Sequence, residues 1–158
     1  MATWTPTQIA VVSAGLTTAT NAYVTGDQLG TEITVTGAAS SNAGFGAITG
    51  IELVDYSNIL GAVDLFLFSD STTPAADNAA AAWSDADALK SVAGSPVFLP
   101  APVAMTSNRL GGVGNLWIPF KSGAGHANLF ADLVTRSGHT FFGAVGDIKL
   151  LFSVVQWG

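Results

Sequence analysis

Two histidines, His126 and His139, are the side chains of this chain best suited to hold a metal ion or to move a proton, and each directly follows a glycine. A zinc or iron site normally takes three protein ligands, so a carboxylate such as Asp132 or Asp147 would have to converge on the two rings. The spacing of these residues does not indicate that convergence. The sequence therefore favours solvated or interface histidines at the starts of strands, and it predicts no bound metal.

The carboxylates offer two further kinds of chemistry. Asp77, Asp85 and Asp87 are close in sequence, but they lack the ligand spacing of a calcium loop. Asp85 and Asp87 fit better in the first turn of a helix, where they face its positive end. Sugar hydrolysis needs two carboxylates across a cleft, whereas Glu32 and Glu52 lie on predicted strands with outward parity. Neither kind of site is predicted.

Nucleophilic and phosphate-binding motifs are also missing from the sequence. It has no Gly-x-Ser-x-Gly, and Ser137, His139 and Asp132 do not show the pattern of a catalytic triad. The glycine-rich residues 111–114 and 143–146 lead into no helix and no Gly-Lys-Ser/Thr, so turns between strands explain them. The chain contains no cysteine. We therefore expect no enzyme activity and no cofactor.

Four tryptophans carry the remaining binding potential, because tryptophan is enriched in protein interfaces and also stacks on sugars. Core packing is the simpler expectation for Trp83 and Trp117. Trp4 and Pro6 belong to an opening segment rich in Thr and Pro, and Trp157 is one residue from the end. Such segments fray unless something holds them. We therefore predict an interface that includes these last three residues.

Strands dominate the elements that must position these side chains. β-branched residues and alternating polarity, punctuated by Gly, Asn and Ser, predict four strands in the first half. They cover residues 8–14, 31–36, 46–56 and 60–68. In residues 62–68 both faces are apolar enough for a central strand that is covered on both sides. Ser84, followed three residues later by Asp87, predicts the start of a helix over residues 85–92.

The next part of the chain predicts shorter or interrupted strands. Three prolines in residues 95–102 favour an extended edge segment, in which the chain crosses from one sheet to the other. Residues 115–121 form a strand candidate interrupted by Pro119. Residues 127–136 form a longer strand.

A hairpin is predicted at the end of the chain. Its strands cover residues 140–145 and 148–157, with a turn at Gly146-Asp147. Alternation in the last strand separates a core face from a face that is only partly covered. The predicted core face carries Ile148, Leu150, Phe152 and Val154.

Eight or nine short strands and one short helix in a long connection predict an all-β fold. We expect a two-sheet sandwich of the jelly-roll type. The 158 residues suit one domain of this kind, and no internal repeat suggests otherwise. The predicted domain covers residues 1–158, with residues 1–7 as an extended N-terminal arm.

Charge is scarce in this chain, since 10% of the residues are charged and 49% are hydrophobic. Ordinary soluble proteins have about 25% charged residues. Such an exterior suits lasting contact with other subunits, although a monomeric sandwich rich in Thr, Ala and Gly remains an alternative.

The sign of the charge and the absence of targeting patterns limit the partners. A net charge of −6 with five scattered cations gives no attraction to phosphates, so we predict no nucleic-acid binding. The sequence shows no secretory signal and no run of about eighteen apolar residues. We expect a product that is soluble in the cytoplasm when it is made and has no membrane partner.

Residues 23–30 (YVTGDQLG), 61–68 (GAVDLFLF) and 83–87 (WSDAD) resemble small virion proteins of tailed bacteriophages. The most similar family is that of the capsid decoration, or cement, proteins, and the resemblance spans about residues 22–92. It implies a non-enzymatic β-rich knob that binds the outer face of a shell of major capsid protein, often as a trimer.

The leading hypothesis is therefore a virion structural protein that stabilises a phage capsid from its outer surface. It implies a homotrimer, the major capsid protein as partner, and a location in the host cytoplasm during assembly. The alternative is a carbohydrate-binding module of a head or tail fibre, since a sandwich with exposed Trp and Asp side chains could hold a sugar. An enzyme ranks third.

Overall fold

The computed structural model describes the backbone of residues 6–17, 22–140 and 145–157, and the side chains of Leu16 and of residues 22–138 and 148–157. Within these ranges the chain forms strands joined by loops and one short helix. The strands are β1 (Pro6–Thr17), β2 (Ala22–Tyr23), β3 (Gln28–Val35), β4 (Phe45–Asp55), β5 (Val63–Phe68), β6 (Val97–Leu99), β7 (Val103–Ala104), β8 (Arg109–Val113), β9 (Ile118–Lys121), β10 (Leu129–Thr135), β11 (His139–Thr140) and β12 (Val145–Trp157). The helix is α1 (Asp85–Ala88).

Two antiparallel sheets contain most of these strands. Sheet 1 has the order β1-β12-β4-β8-β7, and β9 pairs with β4 next to β8. Sheet 2 has the order β3-β10-β5-β6, and β2 pairs separately with β11. The predicted all-β, two-sheet sandwich with one short helix is confirmed.

The strand pairing follows a long hairpin that is wrapped around itself. β1 pairs with β12, β3 with β10, β4 with β8 and β9, and β5 with β6, so the first strands meet the last and the middle strands meet each other. Cross-pairs of β12 with β4 and of β10 with β5 then close each sheet. This order is that of a jelly roll.

One hydrophobic core lies between the sheets. Sheet 1 supplies the buried face of β12, whose Ile148, Leu150, Phe152 and Val154 are fully buried as predicted. Sheet 2 supplies Leu65 and Leu133, among others, and both belong to the same core cluster. β5 lies between β10 and β6, which agrees with the prediction of a central strand.

The proline-rich segment crosses between the sheets as predicted. β6 is the edge strand of sheet 2, and β7, four residues later, is the edge strand of sheet 1. Pro119 lies in β9, which pairs with β4 only. Proline is tolerated in such an edge strand, because no second strand needs its missing N–H.

The helix is shorter than predicted, although its start at Ser84 is correct. Ser84 Oγ accepts a hydrogen bond from Asp87 N, and the helix ends at Ala88 instead of reaching residue 92. The chain beyond it turns back to the end of β5, where Lys90 O accepts from Ser69 N and Val92 N donates to Leu67 O. Pairing with the sheet thus replaces the last predicted helical turn.

The predicted hairpin at Gly146-Asp147 is wrong. Both residues lie within β12, and β11 pairs with β2 instead of β12. Along β1 the register moves from Leu16 opposite Ile148 to Thr17 opposite Val145, which leaves Gly146 and Asp147 as an irregularity in β12. A Gly-Asp pair suits such a bulge as well as it suits a turn.

Candidate functional site

The outer face of sheet 2 is covered by the chain itself. Residues 69–96, here called the covering segment, run back over this face after β5. Trp83 in this segment packs against Phe66 and Phe68, with ring centroids 4.5 and 6.0 Å apart. Trp83 is half-buried against sheet 2 and lies outside the core cluster, so the expectation of core packing is not confirmed for it. The covering segment hides much of this face, although Phe98 in β6 is 48% exposed.

Buried carboxylates hold the covering segment in place. Asp132 is fully buried and accepts hydrogen bonds from Trp83 Nε1 at 2.8 Å, Thr72 Oγ1 at 3.2 Å and Gln28 Nε2 at 3.3 Å. Glu32 accepts from Thr72 Oγ1 at 2.8 Å. Burial raises the pKa of Asp132, the charge of Glu32 adds to this, and the hydrogen bonds oppose it. These carboxylates serve structure, and sequence analysis missed their role.

The three aspartates considered for calcium have separate partners. Asp77 accepts hydrogen bonds from Tyr23 Oη at 2.5 Å and Gly30 N at 2.6 Å. Asp87 forms an ion pair with Lys90 at 2.7 Å, and this contact is the main cause that lowers the pKa of Asp87. Asp85 is exposed in the first turn of α1. Among the residues that the structure describes, no three His, Asp or Glu side chains form a candidate metal cluster.

The histidines show no catalytic arrangement within the described residues. His126 Nε2 lies 3.2 Å from Asp70 Oδ1, and its ring meets Phe130 edge-on. The hydrogen bond from His126 lowers the pKa of Asp70. His139 begins β11, and its side chain, like that of Asp147, lies outside the described residues.

The outer face of sheet 1 is open, in contrast to that of sheet 2. We call it the open face. Large apolar side chains on it are more than one-third exposed in the described part of the chain. They are Phe45, Tyr56, Val103, Leu110 and Trp117. Uncovered apolar side chains in such number are typical of a surface that binds a partner.

Trp117 is 62% exposed, so the expectation that it packs in the core is wrong. It directly precedes β9, which pairs only with β4, and no further strand covers it. Its ring meets Trp157 edge-on at 5.8 Å. Next to them, Phe45, Pro119 and Trp157 line a depression of about 300 Å³. We call Phe45, Trp117, Pro119 and Trp157 the aromatic patch.

A shallow groove of about 590 Å³ lies beside the aromatic patch, across β4, β8 and β12. Thr49, Gly50, Glu52, Gly112 and Ser153 are among its lining residues. Because glycine has no side chain, the floor of the groove is set by the backbone of the sheet. The groove therefore has a small-residue floor with a carboxylate and two hydroxyl side chains.

The groove meets the patch along one continuous surface. Thr49 lines the groove, and its carbonyl oxygen accepts a hydrogen bond from Leu116 N at 3.0 Å, one residue before Trp117. Sequence analysis attributed residues 111–114 to turns and missed this surface. The available signal was the shared parity of Trp117, Pro119 and Lys121, which places them on one face of a strand.

The predicted interface residues fall partly on this surface. Trp157 is half-buried in the aromatic patch, and Pro6 lies opposite it in the β1–β12 pair. Trp4 lies outside the described residues. Whether these residues form an interface stays a prediction.

Comparison with known proteins adds no relative. No protein-family model matches the chain, and the search of curated proteins gave no significant match. The resemblance to phage decoration proteins therefore stays a prediction from the residues.

Proposed function

We propose that this protein is a binding protein of a tailed-phage virion, a capsid decoration protein that attaches through the open face. The observation that carries the proposal is the contrast between the two sheets. Sheet 2 is largely covered by the chain itself and leaves Phe98 as its exposed aromatic side chain, whereas sheet 1 presents several exposed aromatic and aliphatic side chains to a partner. The scarcity of charged residues and the resemblance of residues 22–92 support the same function.

The proposed mechanism uses binding free energy alone, with no catalysis and no cofactor. The protein binds the outer surface of the shell formed by the major capsid protein, as a homotrimer that bridges neighbouring capsomers. It is present in the host cytoplasm during assembly and on the virion afterwards. Because it prefers the assembled shell, each bound copy stabilises that shell by mass action, and several linked contacts add through effective concentration.

The test is co-sedimentation with empty shells assembled without this chain. We expect the wild-type protein to pellet with the shells and to raise the temperature at which the shells dissociate. We expect Trp117→Ala to bind at least about thirtyfold more weakly, because an exposed tryptophan at the centre of an interface commonly contributes about 2 kcal/mol.

Leu89→Ala is the matched control. Leu89 is 89% exposed but lies directly after α1 in the covering segment, away from the open face. Its replacement removes a similarly exposed apolar side chain and should leave shell binding unchanged. Absence of the wild-type protein from the pellet, or equal losses in the two variants, would contradict the proposal.

A second candidate function is carbohydrate binding at the same surface. The exposed ring of Trp117 beside a groove with Glu52, Thr49 and Ser153 offers an apolar ring for stacking and polar groups for sugar hydroxyls. A glycan array with wild type and Trp117→Ala tests it. Glycan binding that depends on Trp117, without shell binding, would favour this function over the first.

A further inference from the structure

Two lysines on the open face differ from the other described cations in what holds them. Arg109 in β8 donates hydrogen bonds to Asn58 Oδ1 at 3.2 Å and to Leu60 O at 3.0 Å. Lys90 pairs with Asp87 at 2.7 Å and Arg136 pairs with Asp64 at 2.8 Å, both on the side of sheet 2. Lys121 and Lys149 form no ion pair with any described carboxylate.

Aromatic rings hold both of these lysines instead. Lys121 Nζ lies 5.4 Å from the ring centre of Phe45, and Lys149 Nζ lies 5.6 Å from that of Tyr56. A cation over a ring keeps its charge available to a second partner, since the ring is neutral. Both ammonium groups are thus held on the surface, and no described carboxylate forms an ion pair with them.

The lysines mark the two ends of the open face. Lys121 lies opposite Phe45 and Lys149 opposite Val54 in the pairs that β4 makes with β9 and β12. At about 3.3 Å per residue, the nine steps between positions 45 and 54 place the lysines about 30 Å apart. The aromatic patch and the groove occupy part of the surface between them.

The charge of the whole chain is distributed unevenly around this face. Glu52 is the one described carboxylate on the open face, and it lies opposite Leu151, two positions along β12 from Lys149. Two cations and most carboxylates lie instead in sheet 2, next to its strands or in the covering segment. These carboxylates are Asp27, Glu32, Asp64, Asp70, Asp77, Asp85, Asp87 and Asp132. The chain is acidic overall, but the described side chains of its open face carry a small positive charge.

We propose that the open face binds an acidic protein surface, one whose carboxylates meet Lys121 and Lys149 at the two ends of an apolar centre. This inference rests on the proposed function and identifies the kind of shell surface that is bound. Apolar burial supplies most of the affinity, and the lysines set the orientation and the partner. The acidic side of the molecule then points away from the shell, so that like charges are kept apart.

The test compares two variants that change the net charge by the same amount. Lys121→Gln with Lys149→Gln removes two positive charges from the open face. Ala82→Glu with Ala86→Glu adds two negative charges to exposed positions of the covering segment. We expect the lysine variant to bind empty shells roughly five- to tenfold more weakly and the glutamate variant to bind like wild type. High salt should weaken the binding of wild type and of the glutamate variant, and it should change the binding of the lysine variant little.

A second probe needs no phage shell. Carboxylate-modified polystyrene beads present carboxylates on an apolar surface, and amidine-modified beads present cations. A protein of net charge −6 should prefer the amidine beads if charge acts without orientation. We expect measurable binding to the carboxylate beads that is lost in the lysine variant and kept in the glutamate variant.

The two probes separate this inference from the proposed function. Shell binding that needs Trp117 but is unchanged in the lysine variant would overturn the inference and leave the proposed function standing. If the wild-type protein does not bind the shells but binds carboxylate beads through its lysines, the decoration function is overturned and an acidic partner is supported. The inference would also be overturned if the lysine and glutamate variants changed shell binding equally. Binding to neutral glycans that is the same in wild type and the lysine variant would overturn it as well.

Discussion

Asp132 shows how a single polar residue fixes the outer side of a sheet. It lies in β10 with its carboxylate fully buried under the covering segment, where Trp83, Thr72 and Gln28 donate to it. An aspartate is rarely buried in this way unless it is paired or hydrogen-bonded. The cost of its burial is offset by the attachment of the covering segment, which shields Phe66 from water.

We predict that Asp132→Asn changes the pH dependence of stability. Since the pKa of Asp132 is raised in the folded state above its usual value of 3.8, the folded protein holds this proton more tightly than the unfolded chain. The contribution of Asp132 is therefore fully present below the unfolded pKa and is lost as the pH rises through the folded pKa. Asparagine does not titrate, so the stability of wild type minus that of the variant should fall between pH 3 and pH 7.

Urea unfolding of both proteins at several pH values measures this difference. The subtraction cancels groups that the two proteins share, such as Asp70 and Asp87, whose lowered pKa values make stability rise with pH. A difference that stays constant or rises with pH would show that burial does not dominate at Asp132.

The two central tryptophans show why residue roles were only partly predictable from sequence. Trp83 follows a run of alanines and Trp117 follows Leu116, and neither context shows whether the ring is covered. Trp83 is covered because a segment of about thirty residues folds back over sheet 2. Trp117 is exposed because no segment among the described residues folds over sheet 1 in this way. Burial at these positions depends on long-range topology, which local pattern does not encode.

At the level of elements, the glycines of the open face fall into two groups. Gly112 in β8 has φ of +152°, and a Cβ there would lie 2.3 Å from Ile51 O and 2.9 Å from Glu52 Cα on the paired strand. Gly50 in β4 lacks a positive φ, and a Cβ there would meet Val113 O at an ordinary 3.6 Å. The close approach of β8 to β4 therefore requires glycine at position 112, whereas position 50 has room for a small side chain.

We therefore predict that Gly112→Ala destabilises the fold by about 2 to 3 kcal/mol, since either the backbone conformation or the strand pair must shift. Gly50→Ala, the matched control on the same groove, should change the free energy of unfolding by less than about 0.5 kcal/mol. Denaturant titration of both variants measures the two values. Equal stabilities would mean that β8 can move away from β4 at little cost.

The elements themselves were largely predictable where a pattern is local. Alternation located β12 and its core face, and paired apolar faces located β5 in the middle of a sheet. The Gly146-Asp147 turn failed because β12 pairs along its length with β1 and β4, and these partners keep the chain extended past a sequence that alone favours a turn. The predicted helix was longer than the observed α1, because the residues that follow Ala88 form hydrogen bonds with the end of β5.

On the scale of the whole molecule, both sheets share one core while their outer faces differ. Strands of both sheets contribute their inner faces to the same cluster of buried residues. The outer face of sheet 2 is largely covered and acidic, whereas that of sheet 1 is open and, in its described side chains, weakly positive. The open face and its charge were not predictable from sequence, because they depend on which sheet the covering segment folds over.

A shared core predicts that the covering segment and both sheets unfold together at pH 7. Replacing Trp4, Trp117 and Trp157 by Phe leaves Trp83 as the only tryptophan, so its fluorescence follows the covering segment while far-UV circular dichroism follows all strands. Trp83 contacts Phe66 and Phe68 in β5, and the other face of β5 carries Leu65 in the core. Loss of the segment would expose that strand, so we expect the two urea curves to share one midpoint and to give free energies that agree within about 15%. A fluorescence transition at lower urea would show that the covering segment opens as a separate unit, and the attachment through Asp132 would then be weaker than its burial indicates.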